Sequence, residues 1–218
     1  MPVSVIIPVH NCAKFLASAI DSALSQTAAP YEIIVVDDGS TDGSGEIAAR
    51  YGAKVKLVRQ ENSGPAKARN CGVAKAAGAV LAFLDADDLW HPQKLERQIN
   101  ALATSDLVFC TITKFFSDDC PPEMRGNSSE RDQQGFLPSA LVCRASTFDQ
   151  VGPFDESLKS GEFVDWLARA RTQDFTEKHL ENRLVKRRIH GGNMTRDANL
   201  MQEYLKVIRR NIERRKHP

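Results

Sequence analysis

The sequence predicts an α/β fold in which a mostly parallel sheet carries helices on both faces. Short apolar runs rich in β-branched residues, typical of buried strands, alternate through the first 84 residues with stretches whose apolar residues recur at helical spacing. Strands joined by helices pair in parallel, because each helix returns the chain across one face of the sheet. A length of 218 residues suits a single domain with a full core.

The elements of the first half follow from these runs in order. Strands are predicted at residues 3–9, 32–36, 55–59 and 79–84. Helices are predicted from residue 15 to before residue 30, around 43–51 and over 65–77. Pro8 lacks the amide hydrogen that a strand residue donates, so it is expected near the end of its strand.

The second half has a less regular pattern. Strands are predicted at residues 107–113, 135–142 and, as an edge strand, 184–189, and helices from residue 162 and over 200–215. Residues 117–135 are polar and contain several prolines, glycines and serines. They are therefore predicted to form a long loop, which in a compact domain is usually a functional lid or disordered.

Composition narrows the class of protein. Hydrophobic residues make up 42% of the chain and charged residues 26%, as in an ordinary globular protein. No apolar run approaches 18 residues and no basic region precedes the first strand, so neither a signal peptide nor a transmembrane helix is expected. The five cysteines are widely spaced and suggest neither disulfides nor a zinc site. We expect a cytoplasmic protein with reduced thiols.

Two of the predicted strands run directly into acidic residues. The acids are Asp37 and Asp38 after the second strand, and Asp85, Asp87 and Asp88 after the fourth. In parallel sheets ligands bind outside the carboxyl ends of the strands, so both clusters are expected on one rim. Asp85 and Asp87 would point to the same side of an extended chain.

Acids gathered in this way need compensation. A bound cation would supply it, and hard oxygen ligands suit Mg²⁺ or Mn²⁺ carrying substrate phosphates. A different interpretation is that Asp87 and Asp88 cap the helix that follows.

Four motifs occur in a specific order. They are Val5-Ile6-Ile7-Pro8-Val9-His10-Asn11, Val35-Val36-Asp37-Asp38-Gly39-Ser40-Thr41-Asp42, Gly64-Pro65-Ala66-Lys67-Ala68-Arg69-Asn70 and Phe83-Leu84-Asp85-Ala86-Asp87-Asp88. This order resembles the nucleotide-sugar half of family 2 glycosyltransferases, which have the Rossmann-like GT-A fold. The resemblance implies an inverting enzyme that moves a sugar from a nucleoside diphosphate donor, a UDP-sugar, to an acceptor hydroxyl with the help of Mn²⁺ or Mg²⁺.

The resemblance also implies a division of the chain. Residues 1–103 would be the nucleotide-sugar-binding half. Residues 104–195, including the loop 117–135, would be the acceptor and catalytic half, and residues 196–218 a basic C-terminal helix.

The motif positions imply roles for individual residues. Pro8, Asn11 and Asp38 would bind the nucleotide, with the Asp38 carboxylate accepting from uracil N–H. Asp85 would contact the ribose, and Asp87 would bind the metal that bridges the diphosphate. Without such a cation, a carboxylate beside two phosphates would be strongly repulsive.

Two further residues are assigned to the donor. Arg69, on the helix of the third motif, would add positive charge near it. His190, in the segment Arg188-Ile189-His190-Gly191-Gly192-Asn193-Met194-Thr195, which is similar to a His-containing segment of many members, would reach the diphosphate or the metal.

An inverting transfer needs a base that takes the acceptor's hydroxyl proton. Family members usually place a Glu-Asp pair at the start of the helix after the long loop, whereas Phe163 follows Glu162 here. We predict Glu162 as the base, with Asp165 as the alternative; a first-turn acid that complements the helix dipole is the structural interpretation of Glu162. Because of Phe163, a sugar-nucleotide-binding or scaffold protein without turnover is the second functional hypothesis.

Other classes of enzyme fit less well. A nucleotidyltransferase, a Rossmann dehydrogenase or a P-loop enzyme would carry glycines directly after the first strand, where this chain has Pro8-Val9-His10-Asn11-Cys12. A haloacid-type phosphatase would have its nucleophile on the first strand and a threonine nearby.

The last part of the chain is basic. Residues 159–218 carry 15 Lys and Arg against 8 Asp and Glu, whereas residues 1–158 carry 14 against 20. The helix near the end could dock on the domain through residues 204, 205, 208 and 212, or contact the inner face of a membrane peripherally through residues 203–218. The acceptor, whether glycan, lipid-linked or peptide, and the oligomeric state are left open, and no nucleic-acid partner is expected.

Overall fold

The computed structural model describes residues 1–125, 132–193, 202 and 204–210. Its strands are β1 (Val3–Val9), β2 (Glu32–Asp38), β3 (Lys56–Gln60), β4 (Val80–Phe83), β5 (Leu89–Trp90), β6 (Leu107–Phe116), β7 (Gln133–Gln134), β8 (Val142–Arg144) and β9 (Glu177–Ile189). Its helices are α1 (Ala13–Leu24), α2 (Ser44–Ala49), α3 (Pro65–Ala74), α4 (Lys94–Ala101), α5 (Pro122–Arg125), α6 (Ala145–Val151) and α7 (Glu162–Ala170), with 3₁₀ turns at Gly52–Lys54 and Pro138–Ala140. Residues 204–210 are also helical and are called the C-terminal helix below.

The strands form one sheet in the order β3-β2-β1-β4-β8-β6-β9-β5, with β7 beside β6. The first four strands pair in parallel, and so do β6 and β9 along ten register positions. Short antiparallel pairings join β8 to β4 and β6, β7 to β6, and β5 to β9. The predicted α/β fold with a mostly parallel sheet is confirmed, and the antiparallel strands belong to its second half.

Both faces of β1, β2 and β4 are almost fully buried, as the unbroken apolar runs predict. On β1, Val5 and Ile7 belong to the apolar cluster that contains Leu16 and Ile20 of α1. Ile6 points the other way and belongs to the cluster that contains Trp166 of α7. Because successive side chains of a strand alternate between faces, a strand covered on both sides is apolar at most of its positions.

Two predicted strands differ from the observed ones. Residues 135–142 do not form a strand along their length, because Pro138–Ala140 makes a 3₁₀ turn and β8 begins at Val142. The strand predicted at the edge is part of β9, which starts at Glu177 and pairs with β6 on one side and β5 on the other. The edge prediction was wrong because β5, only two residues long, gave no strand signal.

The loop predicted at residues 117–135 contains α5 and β7, and its residues 126–131 lie outside the described part. Of the C-terminal helix predicted at 196–218, only residues 202 and 204–210 are described, and these are helical. Peripheral membrane contact through 203–218 therefore stays a prediction. None of the helices in the described ranges has the length and apolar character needed to cross a membrane.

Candidate active site

The carboxyl ends of β1, β2 and β4 border a cavity of about 720 Å³. Seven of the nine residues predicted for the site line it: Pro8, Asn11, Asp38, Arg69, Asp85, Asp87 and His190. Glu162 and Asp165 are not among its described lining residues. The two acidic strand ends therefore meet at one hollow, as the rim argument predicts.

Asp38 lies at the end of β2 and is 4% exposed. Its Oδ1 accepts hydrogen bonds from Gln60 Nε2 at 2.7 Å and from the Ser63 amide at 2.9 Å, and its Oδ2 accepts from the Gly64 amide at 2.8 Å. A carboxylate offers about four acceptor positions. Asp38 thus fixes the turn before α3 and keeps room for one more donor.

His10, for which the sequence predicts no role, lines the cavity beside Asp38. Its Nδ1 lies 2.7 Å from the Asp38 carbonyl oxygen, which can only accept, so Nδ1 carries the proton. Nε2 then accepts from the side-chain amides of Asn11 at 3.1 Å and Asn62 at 3.2 Å. His10 therefore ties the ends of β1, β2 and β3 together.

Asn11 has a backbone φ of 48°, in the left-handed region that asparagine tolerates better than most residues. Its amide donates to Ser40 Oγ at 3.1 Å, and its Oδ1 accepts from the Thr41 amide at 2.8 Å. The side chain thus holds the loop after β2 against the loop after β1.

The acidic segment after β4 is a turn, so the condition of an extended chain, under which Asp85 and Asp87 would point to the same side, is not met. The Asp88 amide donates to the Asp85 carbonyl oxygen at 3.0 Å, which closes the turn. Asp85 and Asp87 consequently find different partners, although both line the cavity. The capping interpretation was also wrong, because the residue that caps α4 is Gln93, with no side-chain cap.

Asp87 is held by the segment that follows β9. Its Oδ2 lies 3.1 Å from His190 Nε2 and accepts from Asn193 Nδ2, also at 3.1 Å. His190 Nδ1 accepts from the Gly192 amide at 3.2 Å, so Nε2 carries the proton and donates to Asp87. Asn193 Oδ1 in turn accepts from the His190 amide at 2.6 Å. Both donors engage one oxygen of Asp87, and no partner is recorded for its Oδ1 within the described residues.

Arg69, on α3, lies between two acids from distant parts of the chain. Its Nη2 donates to Asp85 Oδ1 at 2.7 Å and its Nη1 donates to Glu162 Oε1 at 2.5 Å. Burial lowers the pKa of the Arg69 guanidinium, but the charges of Asp85 and Glu162 more than offset this and raise the pKa overall. The positive charge of Arg69 therefore faces two acids, Asp85 at the cavity and Glu162 in the first turn of α7.

The two predicted bases have different surroundings. Glu162 is 7% exposed and connects to the cavity through Arg69. Asp165 is 1% exposed, and its two oxygens receive Arg169 Nε at 3.0 Å and Arg210 Nη2 at 2.6 Å. Phe163, which follows Glu162, packs against Phe109 and Trp166 and is 5% exposed.

Two other groups at the cavity carry shifted pKa values. Burial, together with the nearby charges of Asp87 and Asp85, raises the pKa of Asp88 well above its ordinary value. Burial, followed by the charges of Asp87 and Asp42, raises the pKa of the Cys12 thiol to about 12. Cys12 is therefore a neutral lining group and not a nucleophile.

The carboxylate of Asp87 is suited to bind a divalent cation whose other ligands come from a bound molecule. Within the described ranges no group of three or more His, Cys, Asp or Glu side chains could hold a metal by itself. Asp87 offers Oδ1, while His190 and Asn193 orient its other oxygen. Mg²⁺ and Mn²⁺ are commonly held by one or two carboxylates and completed by substrate phosphates. The chain can therefore supply part of such a site and a diphosphate the rest.

Sequence reasoning missed His10, Asn62, Ser139 and Asn193. Ser139 is fully buried, and its Oγ accepts from the Asp85 amide at 3.0 Å and also bonds the Asp88 side chain. His10 and Asn193 each stood inside a motif given above, and this was the available signal for them. Asn62 and Ser139 are isolated polar residues, a pattern too common to single them out.

Comparison with known proteins identifies the family. A sequence profile described as Glycosyl transferase family 2 matches residues 4–154. This chain belongs to that family. The family and the class of enzyme predicted from the sequence are thereby confirmed.

Two curated relatives agree with the profile. An uncharacterized glycosyltransferase of Rickettsia prowazekii, RP339, is 36% identical over 220 residues, covering 93% of this chain and 69% of the relative. Glycosyltransferase AglE of Haloferax volcanii is 35% identical over 186 residues, covering 77% of this chain and 60% of the relative.

A solved structure agrees in fold. S. aureus TarS 1-349 in complex with UDP-GlcNAc superposes with a TM-score of 0.78 and 24% identity, covering 97% of this chain and 65% of that one. In another TarS structure the matched part is 39% of the chain, so this family 2 chain spans well under half of that protein. At this identity the likeness shows the fold alone, which is the GT-A fold predicted from the motifs.

Proposed function

We propose that this chain binds a UDP-sugar in the cavity at the carboxyl ends of β1, β2 and β4 and transfers the sugar, with inversion, to an acceptor hydroxyl. The observation that carries the proposal is the convergence of Asp38 and Asp87 on one cavity of about 720 Å³. The TarS structures with UDP and UDP-GlcNAc support the nucleotide class, since that protein has the same fold.

The nucleoside is assigned to the side of the cavity where Asp38 lies. Asp38 accepts three hydrogen bonds and has room for one more donor, which an N–H of uracil would supply. Pro8 and Asn11 line the cavity beside it. The neighbouring His10 and Asn62 are held by their own hydrogen bonds, so this pocket is formed before a ligand arrives.

The diphosphate is assigned to Asp87. Its Oδ1, which has no partner among the described residues, would help to hold Mn²⁺ or Mg²⁺, and His190 and Asn193 fix the carboxylate's orientation. When bound, the cation would neutralise the charge of the leaving diphosphate. Arg69 keeps Asp85 directed toward the ligand and holds Glu162 at the same time.

Glu162 is the proposed base for the acceptor. It is tied to the cavity wall through Arg69, whereas Asp165 already engages two arginines. Glu162 Oε2 has no recorded partner within the described residues, so it is the atom we assign to the acceptor's proton. A base must lie within hydrogen-bond reach of that proton in the bound complex.

A thermal-shift experiment tests the donor side. Ligand that binds only the native state at a hundred times its Kd stabilises it by about 2.7 kcal/mol, which is about 5–10 °C in a chain of this size. We expect UDP with Mn²⁺ to raise Tm by this order, and UDP alone to raise it less. Asp87→Ala should abolish the Mn²⁺ dependence, whereas Asp149→Ala, an exposed acid on α6, should keep it. The same shift in Asp87→Ala as in the native chain would contradict the assignment.

A second candidate function is sugar-nucleotide binding without turnover. Phe163 favours it, because an apolar ring packed into the core replaces the second acid of the family's pair. Release of UDP from UDP-sugars in the presence of Mn²⁺, measured over a broad acceptor panel, separates the two. UDP binding without any release would support the second candidate.

A further inference from the structure

The C-terminal helix packs against the segment that forms one side of the cavity. Val207 is 2% exposed, and a β-carbon placed on Gly161 would lie 3.2 Å from Tyr204 Cδ2. Gly161 also has a φ of +80°, which favours glycine. The apolar contact is thus made by Val207 and Tyr204, whereas Leu205, which the spacing had placed on the docking face, is 47% exposed.

Arg210 adds a polar connection at the end of this contact. Its Nη2 lies 2.6 Å from Asp165 Oδ1 and 3.5 Å from Asp155 Oδ2. The other oxygen of Asp165 receives Arg169 Nε at 3.0 Å. The hydrogen bond from Ser157, with a contribution from Arg210, lowers the pKa of Asp155. One guanidinium therefore joins the segment before α7 to the first turn of α7.

Both acids lie next to groups that border the site. The Asp155 carboxylate accepts from the Ser157 amide at 3.0 Å, and its carbonyl oxygen accepts from the Leu158 amide at 3.2 Å. Residues 156–159 line the cavity. Asp165 follows Glu162 on α7, and its amide donates to the Gly161 carbonyl oxygen at 3.0 Å.

We infer that Arg210 is a positioning residue: it holds the cavity wall at 156–159 and the first turn of α7, and through that turn the Glu162–Arg69 pair. The family profile ends at residue 154, so this contact lies in the part of the chain beyond it. The C-terminal helix then supports the wall of the active site from outside the cavity. The inference rests on the proposed transfer reaction, but the hydrogen-exchange part of its test does not depend on that reaction.

We expect the loss of the Arg210 contacts to reduce turnover and to leave nucleotide affinity nearly unchanged. Glu156 is held by Asn70 Nδ2 at 2.9 Å, next to Arg69 on α3, so the wall adjoins the Arg69–Glu162 pair. The nucleotide contacts at Asp38 and Asp87 are made by other segments. A loosened wall should misplace the reacting groups, and a misplacement of about 1 Å can reduce turnover by up to about a hundredfold.

The experiment compares Arg210→Gln with Arg209→Gln, which removes the same charge from an exposed position one residue away. Hydrogen exchange of the peptide covering 155–165 is measured first. Next come the Kd of UDP with Mn²⁺ and the kcat for hydrolysis of UDP-glucose or UDP-N-acetylglucosamine, whichever the native chain hydrolyses faster. Arg210→Lys and Asp155→Asn serve as milder variants.

We expect Arg210→Gln to speed exchange in 155–165 and to lower kcat about tenfold, with the Kd of UDP changed less than about twofold. Arg209→Gln should change none of these, and Arg210→Lys should recover part of the loss. Unchanged exchange in both Arg210→Gln and Asp155→Asn would overturn the inference whether or not the chain transfers sugar. Equal losses in kcat for the Arg209 and Arg210 variants would overturn it as well.

Discussion

Arg69 and Lys94 are both buried cations on helices that flank the sheet, and their surroundings are opposite. Arg69, beside the cavity, donates to Asp85 and Glu162. Lys94, the first residue of α4, is fully buried. Its Nζ has no hydrogen-bond partner within the described residues and lies 4.0 Å from the centre of the Trp90 ring. One charge is neutralised by carboxylates and the other faces an aromatic ring.

The pKa values follow from this difference. Two acids raise the pKa of Arg69 although burial alone would lower it. Burial without an acid lowers the pKa of Lys94 to about 8. The charge of Arg69, beside the cavity, is thus held by acids from two other segments. The charge of Lys94 has no such partner among the described residues, so its burial reduces the stability of the fold at neutral pH. Three variants test this contrast, in order of expected effect.

The largest effect is expected for Glu162→Gln, which removes one of the two charges that face Arg69. General base catalysis contributes about 10²–10⁴ in rate, so kcat should fall about a thousandfold. The Kd of UDP with Mn²⁺ should stay within about threefold, because Glu162 does not line the cavity.

The matched control for that variant is Glu181→Gln, at an exposed position on β9, which should leave kcat unchanged. If Glu162→Gln keeps more than about a tenth of the native kcat, general base catalysis by this residue is excluded, since the expected contribution is larger.

Arg69→Met should reduce stability by about 3–5 kcal/mol, because it leaves Asp85 and the buried Glu162 without their cation. Urea unfolding of the single variant and of Arg69→Met with Glu162→Gln measures this. The double variant should be more stable than the single one, since the uncompensated buried charge is then gone. A double variant that is less stable would show that the two side chains matter through packing and not through charge.

The sequence predicts the fold because the fold depends on local patterns. The apolar runs of β1, β2 and β4 are continuous, and helical spacing lies between them, so parallel strands covered on both faces are the expected result. The turn at Asp85–Asp88 was missed because its closing bond depends on backbone conformation and not on residue type.

The site is predicted less completely because its contacts join distant parts of the chain. Arg69 and Glu162 are 93 positions apart, and Asp87 and Asn193 are 106 apart. Motif resemblance named both Arg69 and Glu162, and it named Asp87 of the second pair, but it predicted neither contact. Arg69 and Lys94 look alike in the sequence, since each is a cation on a helix. Only the tertiary structure shows that one has two acids beside it and the other an indole.

Lys94→Met is the last prediction and has the smallest expected effect. The pKa of Lys94 is about 8 in the folded chain and close to its ordinary 10.5 in the unfolded chain. Below pH 8 the lysine is charged in both states, so the folded state bears the full cost of burying the charge. Between pH 8 and 10.5 the unfolded state holds the proton more tightly than the folded state does, and the native chain gains stability as the pH rises.

Methionine has a similar shape and no charge, so it should stabilise the fold at pH 7 and lose most of this advantage by pH 10. Because one pKa unit corresponds to about 1.4 kcal/mol, the difference between the two pH values should be about 2–3 kcal/mol. Urea unfolding at both pH values measures it, with Lys75→Met, at an exposed position after α3, as the control that should show no such difference. Burial raises the pKa of Cys110 to about 11, and the charge of Lys94 lowers it. Lys94→Met removes only the lowering contribution, so the folded thiol stays mostly protonated at pH 10 in both proteins and adds little to the difference. If Lys94→Met stabilises the fold equally at pH 7 and pH 10, the ring of Trp90 already compensates the lysine charge. Lys94 and Arg69 would then differ in their contacts but not in the energetic cost of burying their charges.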